Sequence, residues 1–274
     1  MNWSEPRVKT DRKRQLRAVL AAALVGAAAS SSGADQNPDE TARIALEQAT
    51  GAAWIVSTNP TDRTITFAFP KNGPYPLPAA DSPAEAALAF LSAHRRIFGM
   101  HDPRREWVVA RREAPADGST HLRFVQSVNG VPVYLSAWDA HFDSGGRLTS
   151  TSGNYVVGAF RVSTRPRLSA EAAAARARAC VAARAQLPES DFRAGVAELE
   201  IFPARAAHPA LAWIVAVSTS RPHSLLLSRK VHLDDRSGTV LADEPMVISR
   251  RAPAGSAPEP AYPEHCLPAG RRAL

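Results

Sequence analysis

Apolar and polar residues alternate most regularly in residues 121–155, and this pattern predicts three strands joined by two tight turns. In the first strand Leu122, Phe124 and Val128 fall on one side, which is the period of two that a half-buried strand shows. Asn129-Gly130 follows, a pair that tolerates the positive φ angles of a tight hairpin turn. The segment is therefore predicted to be a small antiparallel sheet.

The second strand of this sheet, residues 133–142, is predicted to be central because both of its faces are apolar. One face carries Tyr134, Trp138, Ala140 and Phe142, and the other carries Val133, Leu135 and Ala137. A second turn ends at Gly146, and a third strand follows at residues 147–155.

Helices and further strands are predicted on both sides of this sheet, and together they indicate an α+β fold. The strongest helix signal is Ser82, an N-cap that forms a capping box with Glu85, followed by an apolar stripe that ends at Gly99. A second capped helix starts at Ser169 and ends near Gln186. The other predicted elements are a helix at 41–50 and strands at 54–58, 64–69, 107–112, 196–202, 211–217, 225–233 and 239–242.

The charge of the chain is uneven and argues against a nucleic-acid partner. The net charge is +7, but residues 1–34 alone hold six basic and two acidic residues. The other basic residues are scattered and form no stripe interleaved with aromatic rings. No nucleic acid is therefore expected among the partners.

Residues 1–34 have the order of a secretory signal peptide. Basic residues up to Arg17 are followed by an apolar run, 18–29, and then by small residues. The run is too short for a full membrane span, which needs roughly 20 apolar residues. A secreted or periplasmic protein is predicted, with no membrane contact beyond the export signal, and an uncleaved signal-anchor is the alternative.

Two cysteines, Cys180 and Cys266, are the candidates for a disulfide bond, since cysteines of an exported protein can be oxidised. Cys180 lies in a predicted helix and Cys266 in a proline-rich stretch, so the sequence alone does not bring them together. Residues 249–274 are rich in Pro, Ala, Gly and Arg and are predicted to be a disordered tail.

Known catalytic motifs are missing from the sequence. No His is followed by Glu and no two of the eight histidines are four residues apart, which excludes the HExxH helix of a zinc peptidase. Asp139 and His141 share a strand face, and Asp234-Asp235 opens a turn, so neither pair requires a catalytic explanation. The interpretation is a protein that is not an enzyme, with no catalytic residue, no metal ligand and no cofactor.

The segment HLRFVQSVNGVPVYLSAWDAHFDSGGRLTSTSGNY resembles the propeptide of thermolysin-type secreted zinc proteases, the fungalysin/thermolysin propeptide module. The helix SPAEAALAFLSAHRRIFGMHDP before it resembles that family's helix, and the likeness places the module at residues 40–160. The resemblance implies structural roles for Phe124, Gln126, Asn129, Gly130, Val131, Pro132, Val133, His141, Gly146 and Gly153.

Residues 165–248 resemble a PepSY domain, which follows the propeptide module in such precursors. The matching stretches are LSAEAAAARA, AWIVAV and VHLDDRSGTVLADE, with Asp234 and Gly238 as motif residues. The resemblance implies two modules, each an antiparallel sheet packed by a helix, the second of them cystatin-like. After Ile248 the chain departs from the family's pattern.

The resemblance implies an exported, non-catalytic protein that inhibits a secreted thermolysin-like metalloprotease, assists its folding, or does both. In that family the stretch after the PepSY domain runs toward the protease cleft, so the expected contact residues are Met246, Val247, Ile248, Ser249 and Arg250. The alternative for this stretch is a last strand and a linker. Two other functions stay open: a fragment of a truncated or split zinc metallopeptidase precursor, and a binding module for another envelope protein.

Overall fold

The computed structural model describes residues 37–203, 208–219, 227–246 and 264–267. Three predictions lie wholly or largely outside these ranges: the signal peptide at 1–34, the contact residues Val247–Arg250, and the tail at 249–274. The described residues group as one compact unit.

The part of the chain between Asn37 and Gly153 folds as helices and strands whose starts follow the capping signals. Asn37 accepts a hydrogen bond from the backbone N–H of Asp39, and Ser82 accepts one from the N–H of Glu85. The helices are α1 (Pro38–Thr50), α2 (Pro83–Ala93), α3 (Arg95–Phe98) and α4 (Pro103–Glu106). The strands are β1 (Trp54–Thr58), β2 (Ile65–Pro70), β3 (Trp107–Glu113), β4 (Thr120–Val128), β5 (Val131–Phe142) and β6 (Leu148–Gly153).

The part after Gly153 has one long helix and four strands among the described residues. Ser169 caps the helix by accepting from the N–H of Ala172, and Gln186 ends it in a left-handed conformation. The elements are α5 (Ala170–Ala185), β7 (Phe192–Phe202), β8 (Ala210–Thr219), β9 (Arg229–Asp234) and β10 (Val240–Pro245). None of the helices in the described ranges has the length and apolar run that crossing a lipid bilayer requires.

The described strands join into one sheet in the order β1-β2-β6-β5-β7-β8-β9-β10, with β4 on the other edge of β5 and β3 beyond it. Neighbouring strands are antiparallel except for β5 and β7, which are parallel and meet at the single register pair Val133 and Ile201. The central position predicted for β5 is therefore confirmed.

Two hydrophobic cores form on this sheet, and they confirm the predicted α+β fold. The first packs α1 and α2 on the strands of the first half, around Trp54 and Phe98. The second packs α5 on β7, β8 and β9, around Val181 and Val231. A smaller cluster lies where β5 meets β7 and contains Val133.

Cys180 of α5 and Cys266 form a disulfide bond inside the second core. Both residues are fully buried, and their Cα atoms are 5.9 Å apart. Arg176 Nη2 of the same helix donates to the carbonyl oxygen of His265 at 2.6 Å. The short turn Glu264–Cys266 is therefore attached to α5 both covalently and by a hydrogen bond.

Two local predictions are wrong in ways that matter for the site. The helix predicted between Ser82 and Gly99 is interrupted at His94, which leaves helical geometry at φ −107° and ψ 16°. The strict alternation predicted for β5 fails at Leu135, which was placed on a packed face and is 69% exposed. The reason is a bulge in β5, where the pairing with β4 shifts register.

Candidate functional site

A large bulge in β5 is the most unusual feature of the sheet. Val125 of β4 pairs with Ala137, and Ser127 pairs with Pro132. On the β4 side, the four residues 133–136 therefore have a single counterpart, Gln126. At the tip of the bulge Leu135 has a φ of 56°, a left-handed conformation that costs a non-glycine residue about 1–2 kcal/mol. Strained backbone of this kind persists only where its surroundings enforce it, and it is concentrated at functional sites.

Hydrogen bonds from Ser136 and Asn154 hold the bulge in place. The Ser136 hydroxyl lies within donating distance of Gln126 Oε1 (2.7 Å) and of the Asn154 carbonyl oxygen (2.8 Å). Asn154 Nδ2 donates to the Leu135 carbonyl oxygen (3.1 Å), and the backbone N–H of Asn154 donates to the Ala137 carbonyl oxygen (2.8 Å). The strained residue is thus fixed on both sides.

A buried polar network beneath the bulge centres on Gln126 and Glu106. Gln126 Nε2 donates to Glu106 Oε2 (2.9 Å), while Gln126 Oε1 accepts from the backbone N–H of Val156 (3.0 Å). Glu106 also accepts from the Tyr155 hydroxyl (2.8 Å) and from the backbone N–H of Asp102 (2.9 Å). Burial, together with the neighbouring Glu106, raises the pKa of Tyr155 far above its usual range. Because every donor here is matched to an acceptor, the network rigidifies the base of the bulge.

Gly153 allows β6 to approach the bulged strand closely. A Cβ atom at this position would lie 2.3 Å from the carbonyl oxygen of Ala137 and 2.7 Å from the Cα of Trp138. Only glycine fits this contact without a shift of one of the two strands.

A cleft of about 440 Å³ opens beside Leu135. Its walls are mainly apolar and come from β4, β5 and one residue of β7. They are formed by Arg123, Val125, Pro132, Val133, Tyr134, Leu135, Ser136, Ala137 and Glu200. An exposed leucine next to a shallow apolar cleft is the chemistry of a protein-binding surface.

Tyr134 connects this surface to the second half of the protein. Its hydroxyl donates to Glu244 Oε1 on β10, and its ring lies against Phe202 and the fully buried His232. Burial and the Glu244 carboxylate raise the pKa of the Tyr134 hydroxyl well above its usual range. His232 Nδ1 in turn pairs with Glu200, a wall residue of the cleft.

The predicted contact segment starts at the end of β10, the last strand on one side of the sheet in the described residues. Met246 continues the pairing of β10 with β9, since its N–H donates to the Ser228 carbonyl oxygen (3.0 Å), and it is 49% exposed. Glu244, which binds Tyr134, lies only two residues before Met246. The other predicted contact residues, Val247–Arg250, lie outside the described ranges.

A second cleft, of about 550 Å³, lies at the connection between the two halves. Its carboxylates are occupied: Asp234 accepts from the turn that follows it, and Asp235 accepts from the backbone N–H of Arg167 and from Trp213 Nε1. Asp234 is therefore a turn residue. The charges left at the surface of the cleft are basic and belong to Arg161, Arg165, Arg167 and Arg236.

The other motif residues occupy turns, strands and core positions. Phe124 is fully buried, and Val131 and Pro132 begin β5. Four turn residues have positive φ angles: Asn129, Gly130, Gly146 and Gly238. His141 faces His121 across β4 and β5. Sequence reasoning missed Glu106, Tyr134, Ser136 and Asn154, whose roles depend on contacts between distant segments.

Comparisons with known proteins agree with the first module. Residues 105–155 match the family model described as Fungalysin/Thermolysin Propeptide Motif. This range runs from α4 to the start of the connection after β6, and it contains the bulge, Gln126 and Gly153. A comparison with curated proteins gives no match. Among solved structures, the Bacillus megaterium YpeB C-terminal domain matches with 13% identity and a TM-score of 0.32, covering 75% of this chain and 96% of that one.

Proposed function

We propose that this chain, whose residues 105–155 are a fungalysin/thermolysin propeptide motif, is an exported, non-catalytic protein that binds a secreted thermolysin-like metalloprotease. It inhibits that protease, assists its folding, or does both. The match of the motif to the strands that build the bulge is the observation that carries the proposal.

Two features support export and a two-module organisation. The buried Cys180–Cys266 disulfide is the kind of bond that forms in oxidising compartments and is rare in the cytosol. Separate cores on either side of residue 160 support modules at 40–160 and 165–248, the second of them PepSY-like. The signal peptide at residues 1–34 belongs to the same proposal.

The protease-binding surface in this proposal has two parts. One is Leu135 with its cleft, and the other is the segment Met246–Arg250. The hydrogen bond from Tyr134 to Glu244 supports their joint use, because it ties the bulge to the strand that leads into the segment. β-branched and apolar residues such as Val247 and Ile248 suit addition to a strand of the partner.

The proposal is tested with the purified chain and secreted thermolysin-like proteases. Reversible inhibition at sub-micromolar concentration, without casein cleavage by the chain alone, is the expected result. A second assay measures the refolding yield of the denatured protease with and without the chain. A folded chain that neither inhibits nor improves refolding would refute the proposal.

Leu135→Asp is expected to weaken protease binding at least tenfold, since a charge would replace the exposed apolar side chain at the centre of the contact. The inhibition constant measures this effect. The free energy of unfolding should change by no more than about 0.5 kcal/mol, because the side chain makes little contact within the fold.

Val196→Asp is the matched control, because Val196 is an apolar residue of β7 that is 83% exposed and lies outside the cleft. It adds the same charge and should leave inhibition unchanged. Equal loss of binding in both variants would mean that net charge, rather than the bulge, sets the affinity.

The double variant Val247→Asp/Ile248→Asp is expected to weaken inhibition by a similar factor, because charged side chains cannot fill an apolar pocket of the partner. The same inhibition assay checks it. A doubly charged control, Ile55→Asp/Val196→Asp, changes two exposed apolar residues of β1 and β7 that lie outside the cleft. If the Val247/Ile248 variant inhibits as well as the unmodified chain, the placement of the contact segment is wrong.

A further inference from the structure

His121 and His141 bring two imidazole nitrogens together on one face of the sheet. They are register partners on β4 and β5, and their Nδ1 atoms are 2.7 Å apart. The ring centroids are 4.9 Å apart and the ring planes cross at 62°. Both side chains are only partly buried, so solvent reaches the pair.

The hydrogen bonds around His121 favour a proton on its Nε2 atom. The Ser119 hydroxyl donates to Asp117 Oδ1 (2.7 Å), so its oxygen is left to accept from His121 Nε2 (3.4 Å). The Nδ1 atom of a neutral His121 is then unprotonated and directs its lone pair at His141. A hydrogen bond from the second ring nitrogen to a polar partner is the usual support of a metal-ligating imidazole.

The state of His141 also suits a ligand. Burial, and then the neighbouring His121, lower the pKa of His141 below its usual range, while Asp139 acts in the opposite direction. Hydrogen bonds from Ser119 hold the pKa of Asp117 low, so this carboxylate stays ionised near the pair. The lowered pKa favours the neutral form of His141, which frees its Nδ1 lone pair when its proton moves to Nε2 of the same ring.

We propose that the two histidines form a surface chelate for a copper(II) ion. Metal–imidazole bonds of roughly 2.0 Å at a right angle place the two nitrogens about 2.8 Å apart, whereas a tetrahedral angle separates them by about 3.3 Å. The observed 2.7 Å, which is a hydrogen-bond distance, is close to the separation at the right angle of tetragonal copper(II), and the two rings turn so that both lone pairs meet at the ion. Copper(II) is also the divalent first-row ion that nitrogen ligands bind most tightly.

Water completes the coordination of the ion. In the described part of the chain no third His, Cys, Asp or Glu is close enough to make a larger metal-binding group. Four side chains flank the pair. Glu113 on β3 is the register partner of His121, and Ser150 on β6 is the register partner of His141. The other two are Asp139 and Asp117. Glu113 is already paired with Arg111, and Asp139 with Arg123, so these carboxylates are not counted as ligands, and the bound ion bridges β4 and β5.

The test uses tag-free protein, copper(II) chloride and calorimetric titration at pH 7. One ion per chain is expected, and zinc(II) should bind at least tenfold more weakly than copper(II). His121→Ala and His141→Ala should each lose at least tenfold in copper affinity. His208→Ala, which removes an exposed histidine elsewhere, should lose nothing.

Electron paramagnetic resonance of the unmodified protein with one equivalent of copper(II) provides a second readout that needs no variant. Splitting from two equivalent imidazole nitrogens is expected. A spectrum with splitting from one nitrogen or from none would overturn the proposal. So would a copper affinity that is the same in the unmodified protein and in either of its two site variants. A folded state that is unchanged by circular dichroism makes the comparison of variants valid.

Discussion

Replacing Gly153 by alanine should lower the free energy of unfolding by more than about 3 kcal/mol. The new Cβ would lie 2.3 Å from the carbonyl oxygen of Ala137 and 2.7 Å from the Cα of Trp138. Both obstacles are backbone atoms in the central strand, so β5 and β6 can relieve the clash only by separating. Separation would break the bond from Asn154 N–H to Ala137 and open the core around Trp138. Urea denaturation measures the loss.

Gly145→Ala is the matched control in the hairpin between β5 and β6. Its Cβ would come no closer than 3.4 Å to any atom outside its chain neighbours, and its backbone needs no positive φ. The expected change is within about 0.5 kcal/mol. Equal destabilisation by both variants would show that the loss reflects general sensitivity of the hairpin rather than the close approach at Gly153.

The Gly153 and Leu135 variants separate the scaffold from the surface it presents. The same contacts that exclude a Cβ at Gly153 also hold the Leu135 carbonyl through Asn154. Gly153→Ala should therefore lose stability and protease binding together, whereas Leu135→Asp should lose binding alone. This difference is expected because the fold positions Leu135, whereas the exposed Leu135 side chain contributes little to the stability of the fold.

Local elements of the fold could be predicted because their causes lie within a few residues. Asn129 and Gly130 adopt φ angles of 51° and 83°, as the turn prediction requires. Ser82 caps its helix through a neighbour three residues away. In such cases the side chain and the backbone group that it hydrogen-bonds lie within a few residues of each other in the sequence.

The bulge escaped prediction because a pattern of period two assumes that every residue of a strand has a partner. Four residues of β5 share a single opposing residue, so the buried positions shift from Val133 to Ser136 and leave Leu135 outside. A signal was present in Gln126, an amide on the side of β4 that otherwise carries Leu122 and Phe124. A fully buried amide requires several partners, and the bulge provides one of them through Ser136.

The attachment of the chain after β10 could not be predicted either, since it depends on two residues 86 positions apart. Nothing near Cys266 indicates that it enters the core beneath α5. Once it does, the segment between Met246 and Glu264 has both ends fixed, one by β10 and the other by the disulfide. The predicted contact residues Val247–Arg250 follow the first of these anchors directly.

Breaking the Cys180–Cys266 bond is expected to have the second large effect on stability. A disulfide that closes a loop of this size restricts the unfolded chain by about 4–5 kcal/mol in the loop-entropy estimate, and measured losses are usually about 2–5 kcal/mol. For a domain of this length the midpoint of thermal unfolding should fall by roughly 10 °C. Scanning calorimetry of the Cys180→Ser/Cys266→Ser variant measures it.

The unmodified protein that is reduced while unfolded and refolded in reductant is the control for the double variant, because it loses the buried cross-link and keeps both cysteines. Both should unfold at a similar temperature, and reductant should not affect the variant further. Inhibition of the protease should weaken in both, since Glu264–Cys266 would lose its covalent hold on α5. If the midpoint barely moves, Arg176 and the core contacts alone hold the turn. If it falls while inhibition is unchanged, the second anchor has no part in presenting the contact segment.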